Sequence, residues 1–195
     1  MQKGLSYKIN IGGTVAALLL LLSSVGFSQK APPNLQSITP EEMKTLEISF
    51  ERTGCYGTCP TYRIAIHGDG KVEYEGVKNV KMVGRREGNI NNDDMQSLLS
   101  LFDKASFFSI GENVSQEKCN CTICTDMASA ITDISVAGDK HSVRHYLGCS
   151  CASKELFELE AKIDQIVKVD QWTGDVRKQG PFGTTCSSPR PTKTN

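Results

Sequence analysis

Between Thr45 and Trp172 the apolar positions switch between two periods, and the switches mark the elements. In "TLEISFERT", Leu46, Ile48 and Phe50 alternate with Glu47, Ser49 and Glu51. A period of two is that of a strand with one face buried. "TYRIAIH" repeats the pattern with Tyr62, Ile64 and Ile66, and "KVEYEG" with Val72 and Tyr74. Asp69-Gly70 between them is a dipeptide favoured in tight hairpins, where positive φ is needed. "KNVKMVGRREGNI" continues as one or two further strands, more polar and more basic.

The period then lengthens. Met95, Leu98, Leu99, Phe102 and Ala105 fall on one face at helical spacing. Asn91 or Asn92 caps this helix, and Asp93 and Asp94 suit the positive end of its dipole. "SFFSIG" closes it and leaves Phe107 and Phe108 to pack. A cysteine-rich loop runs from about Glu112 to Met127. "SAITDISVAGDKHSVRHYLG" reads as a second hairpin, turning at Gly138-Asp139. Ser153 caps a last helix whose Leu156, Leu159, Ile163 and Ile166 share a face, and Trp172 covers the end of the core. Hairpins imply antiparallel pairing, and two amphipathic helices need a sheet face to bury against. The expected fold is α+β: an antiparallel sheet built from hairpins with two amphipathic helices packed on one face, stapled by disulfide. Phe50, Ile64, Tyr74, Leu98, Phe102, Leu159 and Ile163 should meet in one core.

The flanks follow different rules. Lys3 and Lys8 precede the apolar run Thr14 to Leu22, and Gly26 and Ser28 supply small residues before Gln29. That order predicts a signal peptide over 1–28. The alternative is an uncleaved N-terminal membrane anchor, since Ile9 to Ser28 carries no charge. The boundaries that follow are a linker over 29–44, a single domain over 45–172 and a tail over 173–195 expected to be disordered.

Charge adds little. The chain has 22 basic and 22 acidic residues, a balance that gives no reason to expect nucleic acid or a membrane surface as a partner. No stable membrane span is expected once the leader is removed. The cysteines matter more. There are eight, at 55, 59, 119, 121, 124, 149, 151 and 186. An even number in an exported chain, periplasmic or secreted, suggests disulfides.

Cys55 and Cys59 raise three possibilities: a staple, a redox pair or a metal clip. Redox pairs of the thioredoxin type have two residues between the cysteines and stand at a helix start, where the dipole lowers a thiol pKa. Here three residues intervene and strands flank them, so a disulfide between Cys55 and Cys59 is the expectation. Cys119, Cys121, Cys124, Cys149 and Cys151 could together form a thiolate site for zinc or copper. Disulfides among them are preferred for an oxidising compartment. His141 and His145 would share a strand face. They are expected to be surface imidazoles near Arg144 and Tyr146, with a metal or acid–base role as the alternative. Lys78, Lys81, Arg85 and Arg86 could meet an anionic polymer or lipid. An edge strand guarded by charge is preferred for them.

"ERTGCYGTCPTYRIAIHGDGKVEYEG", "LLSLFDKASFF", "KHSVRHYLG" and "LFELEAKIDQI" with Trp172 resemble the bacterial domain-of-unknown-function family 6438. The resemblance covers roughly Thr45 to Trp172 and is most specific from Cys55 to Gly76. Its motif falls on Cys55, Gly57, Cys59, Pro60, Tyr62, Asp69, Gly70 and Tyr74. It implies an exported or envelope protein of bacteria and brings no activity with it. "CNCTIC" and "GCSC" depart from the family pattern, so chemistry built on them is not inherited.

The expected function is that of an exported, non-catalytic domain with a binding or structural role in the cell envelope or outside the cell. No catalytic or cofactor-binding residues are expected, and its partner would be an unidentified protein or envelope component. The alternatives are a thiolate metal-binding protein and a thiol–disulfide oxidoreductase using Cys55 and Cys59.

Overall fold

The computed structural model describes residues 32–115, 125–148 and 152–174. They form one sheet with helices on one side. The strands are β1 (Glu47–Arg52), β2 (Thr61–His67), β3 (Lys71–Lys78), β4 (Gly84–Asn89), β5 (Asn113–Val114), β6 (Ser129–Val136) and β7 (Asp139–Tyr146). The helices are α1 (Pro40–Lys44), α2 (Asn92–Lys104), α3 (Lys154–Val167) and α4 (Asp170–Thr173). Strand order is β4-β3-β2-β1-β6-β7-β5. Every pairing is antiparallel except that of the short β5 with β7.

The period-two pattern decides the register. Phe50 lies opposite Ile64 on one side and Thr132 on the other, and Ile64 lies opposite Tyr74. A slip of one residue would turn every one of these side chains to the other face. On the covered face Ile48, Phe50, Ile64, Ile66, Val72 and Tyr74 are buried with Leu98, Leu99 and Phe102 of α2 and Leu159 and Ile163 of α3. The seven residues expected to meet in one core all do. Trp172 stacks on Tyr74 at 4.8 Å between ring centroids and closes that end.

The caps are the expected ones. Asn91 Oδ1 accepts from Asp94 N at 2.8 Å, and Ser153 Oγ accepts from Leu156 N at 3.1 Å. The first hairpin turns through Asp69-Gly70. Gly70 has φ +86°, and a Cβ there would stand 2.5 Å from the Ile90 carbonyl oxygen, so only glycine fits.

Three details differ from the sequence reading. The second hairpin turns at Ala137-Gly138, both with positive φ, one residue earlier than Gly138-Asp139. The loop before it contains β5, whose two residues are too few for periodicity to register. The stretch read as linker carries a short 3-10 turn at Leu35–Ser37 and then α1, and Leu35 is buried in the core. Thr39 and Glu42 form a reciprocal capping box at the start of α1, the signature of a real helix start.

Among the described residues, no helix is long and apolar enough to cross a membrane. The expected signal peptide over 1–28 and most of the tail lie outside the described residues.

Candidate functional site

The antiparallel order brings the last residues of β1, β3 and β7 and the first residues of β2, β4 and β6 to the same end of the sheet. Cys55 and Cys59 sit there, between β1 and β2, bonded to each other with their Cα atoms 5.6 Å apart. The closed loop is held on two sides. Tyr56 N donates to the Asp126 carbonyl at 2.9 Å. Asn79 Nδ2 donates to the carbonyls of Cys59 at 3.1 Å and Gly57 at 3.5 Å. Just before it, Thr53 and Ser129 exchange hydrogen bonds. Thr53 N donates to the Ser129 carbonyl at 2.9 Å, and Ser129 N donates to Thr53 Oγ1 at 2.8 Å.

Gly57 takes φ +150°, a region that L side chains rarely adopt, which accounts for the glycine inside the loop. Tyr56 projects from this knuckle with 90% of its surface exposed. Cys55 and Cys59 are flanked by extended chain and turn, so the helix-dipole device that activates a thiol in the thioredoxin arrangement is not built here.

Beneath the knuckle lies a buried polar cluster. Arg52 continues the inward side of β1 and lies 4.6 Å over the Phe50 ring. Its Nη2 donates to Asp164 Oδ2 at 3.0 Å and its Nη1 to Glu160 Oε2 at 3.5 Å. Tyr62 of β2 donates its hydroxyl to Asp164 Oδ1 at 2.7 Å. His145 of β7 pairs its Nδ1 with Glu160 Oε1 at 2.8 Å and sets its ring edge-on to Phe157 at 4.6 Å. Three side chains from three strands thus converge on two carboxylates one turn apart on α3.

Burial governs their ionisation. It pushes the Asp164 carboxyl above its ordinary value, against the pull of Arg52 and of the Tyr62 hydroxyl. For Arg52 burial works against the charge, but Asp164, Tyr62 and Glu160 outweigh it and hold the guanidinium above its usual value. Burial and Asp164 together push the Tyr62 hydroxyl well up. Such a cluster clamps α3 to the sheet at one orientation. A buried carboxylate partnered from two strands has a single favourable position, whereas apolar contact tolerates sliding.

Among the described residues, His145 Nε2 and Thr132 Oγ1 are buried without a hydrogen-bond partner. With no exposed surface on His145, the pair with Glu160 is sealed within the core.

The histidines correct one expectation. His141 and His145 do share the covered face, but neither is a surface imidazole. His145 is fully buried, and His141 is half-buried, with Nε2 2.8 Å from the Ile110 carbonyl and its ring against Phe107. The chain continues past β7 into α3, which covers His145, and the turn after α2 covers His141. The sequence signal for the cluster was available: Glu160 and Asp164 fall on the face of Leu156, Leu159 and Ile163, and Arg52 follows Phe50 at strand spacing. Charged residues at core positions must find partners.

Arg85 and Arg86 lie on β4, an edge of the sheet, as expected for a guarded edge, whereas Lys78 and Lys81 belong to the end of β3 and the turn. On the uncovered face, Ser49 and Ala65 floor an open recess of about 380 Å³ bordered by Arg63, Glu75 and Arg85. Cys119, Cys121, Cys124, Cys149, Cys151 and Cys186 lie outside the described residues. Among the described residues, no group of three or more His, Cys, Asp or Glu side chains could hold a metal ion.

No curated protein matches this chain. The model of a domain of unknown function, DUF6438, matches residues 46–167, from the start of β1 to the end of α3. That span holds the stapled knuckle and all five members of the buried cluster, and the chain belongs to the DUF6438 family.

Proposed function

We propose that this is a non-catalytic, exported domain that binds or scaffolds at the knuckle end of its sheet. The observation that carries the reading is the fixed position of the Cys55–Cys59 loop. It is hydrogen-bonded to Asn79 on one side and Asp126 on the other, and it holds Tyr56 out in solvent. A thiol pair that turns over must let one sulfur leave and be attacked by a partner, whereas a staple serves by staying closed. A disulfide with this role suits an oxidising compartment, which agrees with the leader-like order of residues 1–28.

The test is a turnover assay. The purified full chain is mixed with a reduced dithiol donor and a disulfide-bonded reporter protein, and reporter reduction is followed. No acceleration over the uncatalysed exchange is expected, and the Cys55→Ser/Cys59→Ser variant should give the same trace. Acceleration that the double variant loses would make the domain an oxidoreductase.

A further inference from the structure

The exposed large apolar side chains among the described residues are Tyr56, Val77 and Val83, at 90%, 46% and 62% exposure. All three stand at the knuckle end of the sheet. Gly76 and Gly84 are the last pair between β3 and β4, so Val77 and Val83 each stand one residue beyond it on the two arms of the hairpin. Asn79, two residues after Val77, carries the hydrogen bonds that join this hairpin tip to the Tyr56 loop.

The same tip is cationic. From Val77 to Arg86 the chain contains Lys78, Lys81, Arg85 and Arg86 and no acidic residue. All four are exposed, and among the described residues none forms an ion pair. Elsewhere on the sheet cations do find partners: Arg63 with Glu51, and Lys71 with Glu73 and Glu87. Guarding of an edge strand explains Arg85 and Arg86 on β4. It does not explain Lys78 and Lys81, which lie off that strand, or two exposed valines beside them.

The tip is also rigid. Lys81 N and Met82 N donate to the carbonyls of Thr173 and Trp172 at 3.1 and 2.8 Å, and Val80 and Met82 pack against the core. Val77, Lys78, Lys81 and Val83 are all exposed on this anchored tip.

We propose that this tip docks on an anionic lipid surface, with Val77, Val83 and Tyr56 entering the headgroup boundary and the four cations meeting lipid phosphates. A projecting hairpin with aliphatic residues between unpaired cations suits a flat, fluid, negatively charged layer, and tyrosine favours that boundary. Each cation near such a surface contributes about fivefold in affinity, and the contribution is screened by salt. This deepens the binding reading above by naming its partner class. The staple is tested by redox measurement, so failure here would leave that part of the reading standing.

The experiment uses the full chain carrying Val83→Trp, with the emission of Trp172 in the parent chain subtracted so that the tip indole is followed. Emission is followed on adding vesicles of phosphatidylcholine alone or with 30% phosphatidylglycerol. A blue shift of the tip indole is expected with the anionic vesicles and not with the neutral ones. It should weaken steeply with salt. It should fall by roughly a hundredfold in apparent affinity when Lys78, Lys81 and Arg85 are changed together to Gln. Val77→Ser in the same background should weaken the shift while leaving the thermal midpoint unchanged. No shift, or an equal shift on neutral vesicles, would overturn the proposal. So would tight binding of a soluble polyanion, such as polyphosphate, that is indifferent to Val77→Ser, because the tip would then be a polyanion site.

Discussion

Replacing Arg52 with methionine keeps most of the side-chain volume and removes the cation from the buried cluster. Asp164 then loses its 3.0 Å donor and Glu160 its 3.5 Å donor, while Tyr62 and His145 keep theirs. Removing one partner of a buried ion pair costs about 3–5 kcal/mol, because a charge is left uncompensated away from water. Glu160 is sealed, but the Asp164 side chain retains 17% exposure, which places the expected loss near the lower end, about 3 kcal/mol. With a urea slope of about 2 kcal/mol per molar, the midpoint of unfolding should fall by about 1.5 M at neutral pH. Adding Glu160→Leu and Asp164→Leu should recover much of the loss, since an apolar replacement needs no partner. Acid should also reduce the deficit, because protonation of Asp164 removes its uncompensated charge. The reasoning is refuted if Arg52→Met costs less than about 1 kcal/mol, or if the two leucines deepen the loss.

Other consequences follow from the same packing. Leu98 is fully buried, so Leu98→Ala should cost about 2–5 kcal/mol in chemical denaturation. The Tyr74 hydroxyl is pushed up to about 12 by burial, opposed by Arg86. A raised folded-state value means that this group's contribution is intact below the ordinary tyrosine range, about 10, and is lost as pH rises through about 12. Stability measured by circular dichroism should therefore fall steeply across that alkaline window, and Tyr74→Phe should blunt the fall. Opening the five-residue loop with Cys55→Ser and Cys59→Ser should cost about 2 kcal/mol by the chain-entropy relation, read as a lower thermal midpoint with the circular dichroism spectrum unchanged.

Much of the fold was legible because its apolar residues keep strict periods. Ile48, Phe50, Ile64 and Ile66 allow only one strand face inward, and Leu98, Phe102, Leu159 and Ile163 allow only one helix face. The missed parts have physical reasons. β5 is held by pairing with β7 rather than by its own pattern. Leu35 is a single apolar residue in a polar stretch, and what buries it is the surface of α2, which local sequence does not show. The burial of His145 is not legible from residue type, by which an imidazole on a half-polar strand belongs at the surface. Its burial depends on Glu160, a partner 15 residues later that becomes a neighbour only when α3 folds back over β7. Strand periodicity put Cys55 and Cys59 between two strands, but their hydrogen bonds to Asn79 and Asp126 are products of the strand order.

The central claim is that Cys55–Cys59 is a staple, and the equilibrium reduction potential of the native full chain tests it most directly. The protein is equilibrated in dithiol–disulfide buffers of graded potential, quenched by alkylation, and the Cys55–Cys59 peptide is quantified by mass spectrometry. A midpoint below about −300 mV is predicted, the range of structural disulfides in secreted proteins. A midpoint between about −270 and −120 mV, where the known oxidoreductases lie, would contradict it.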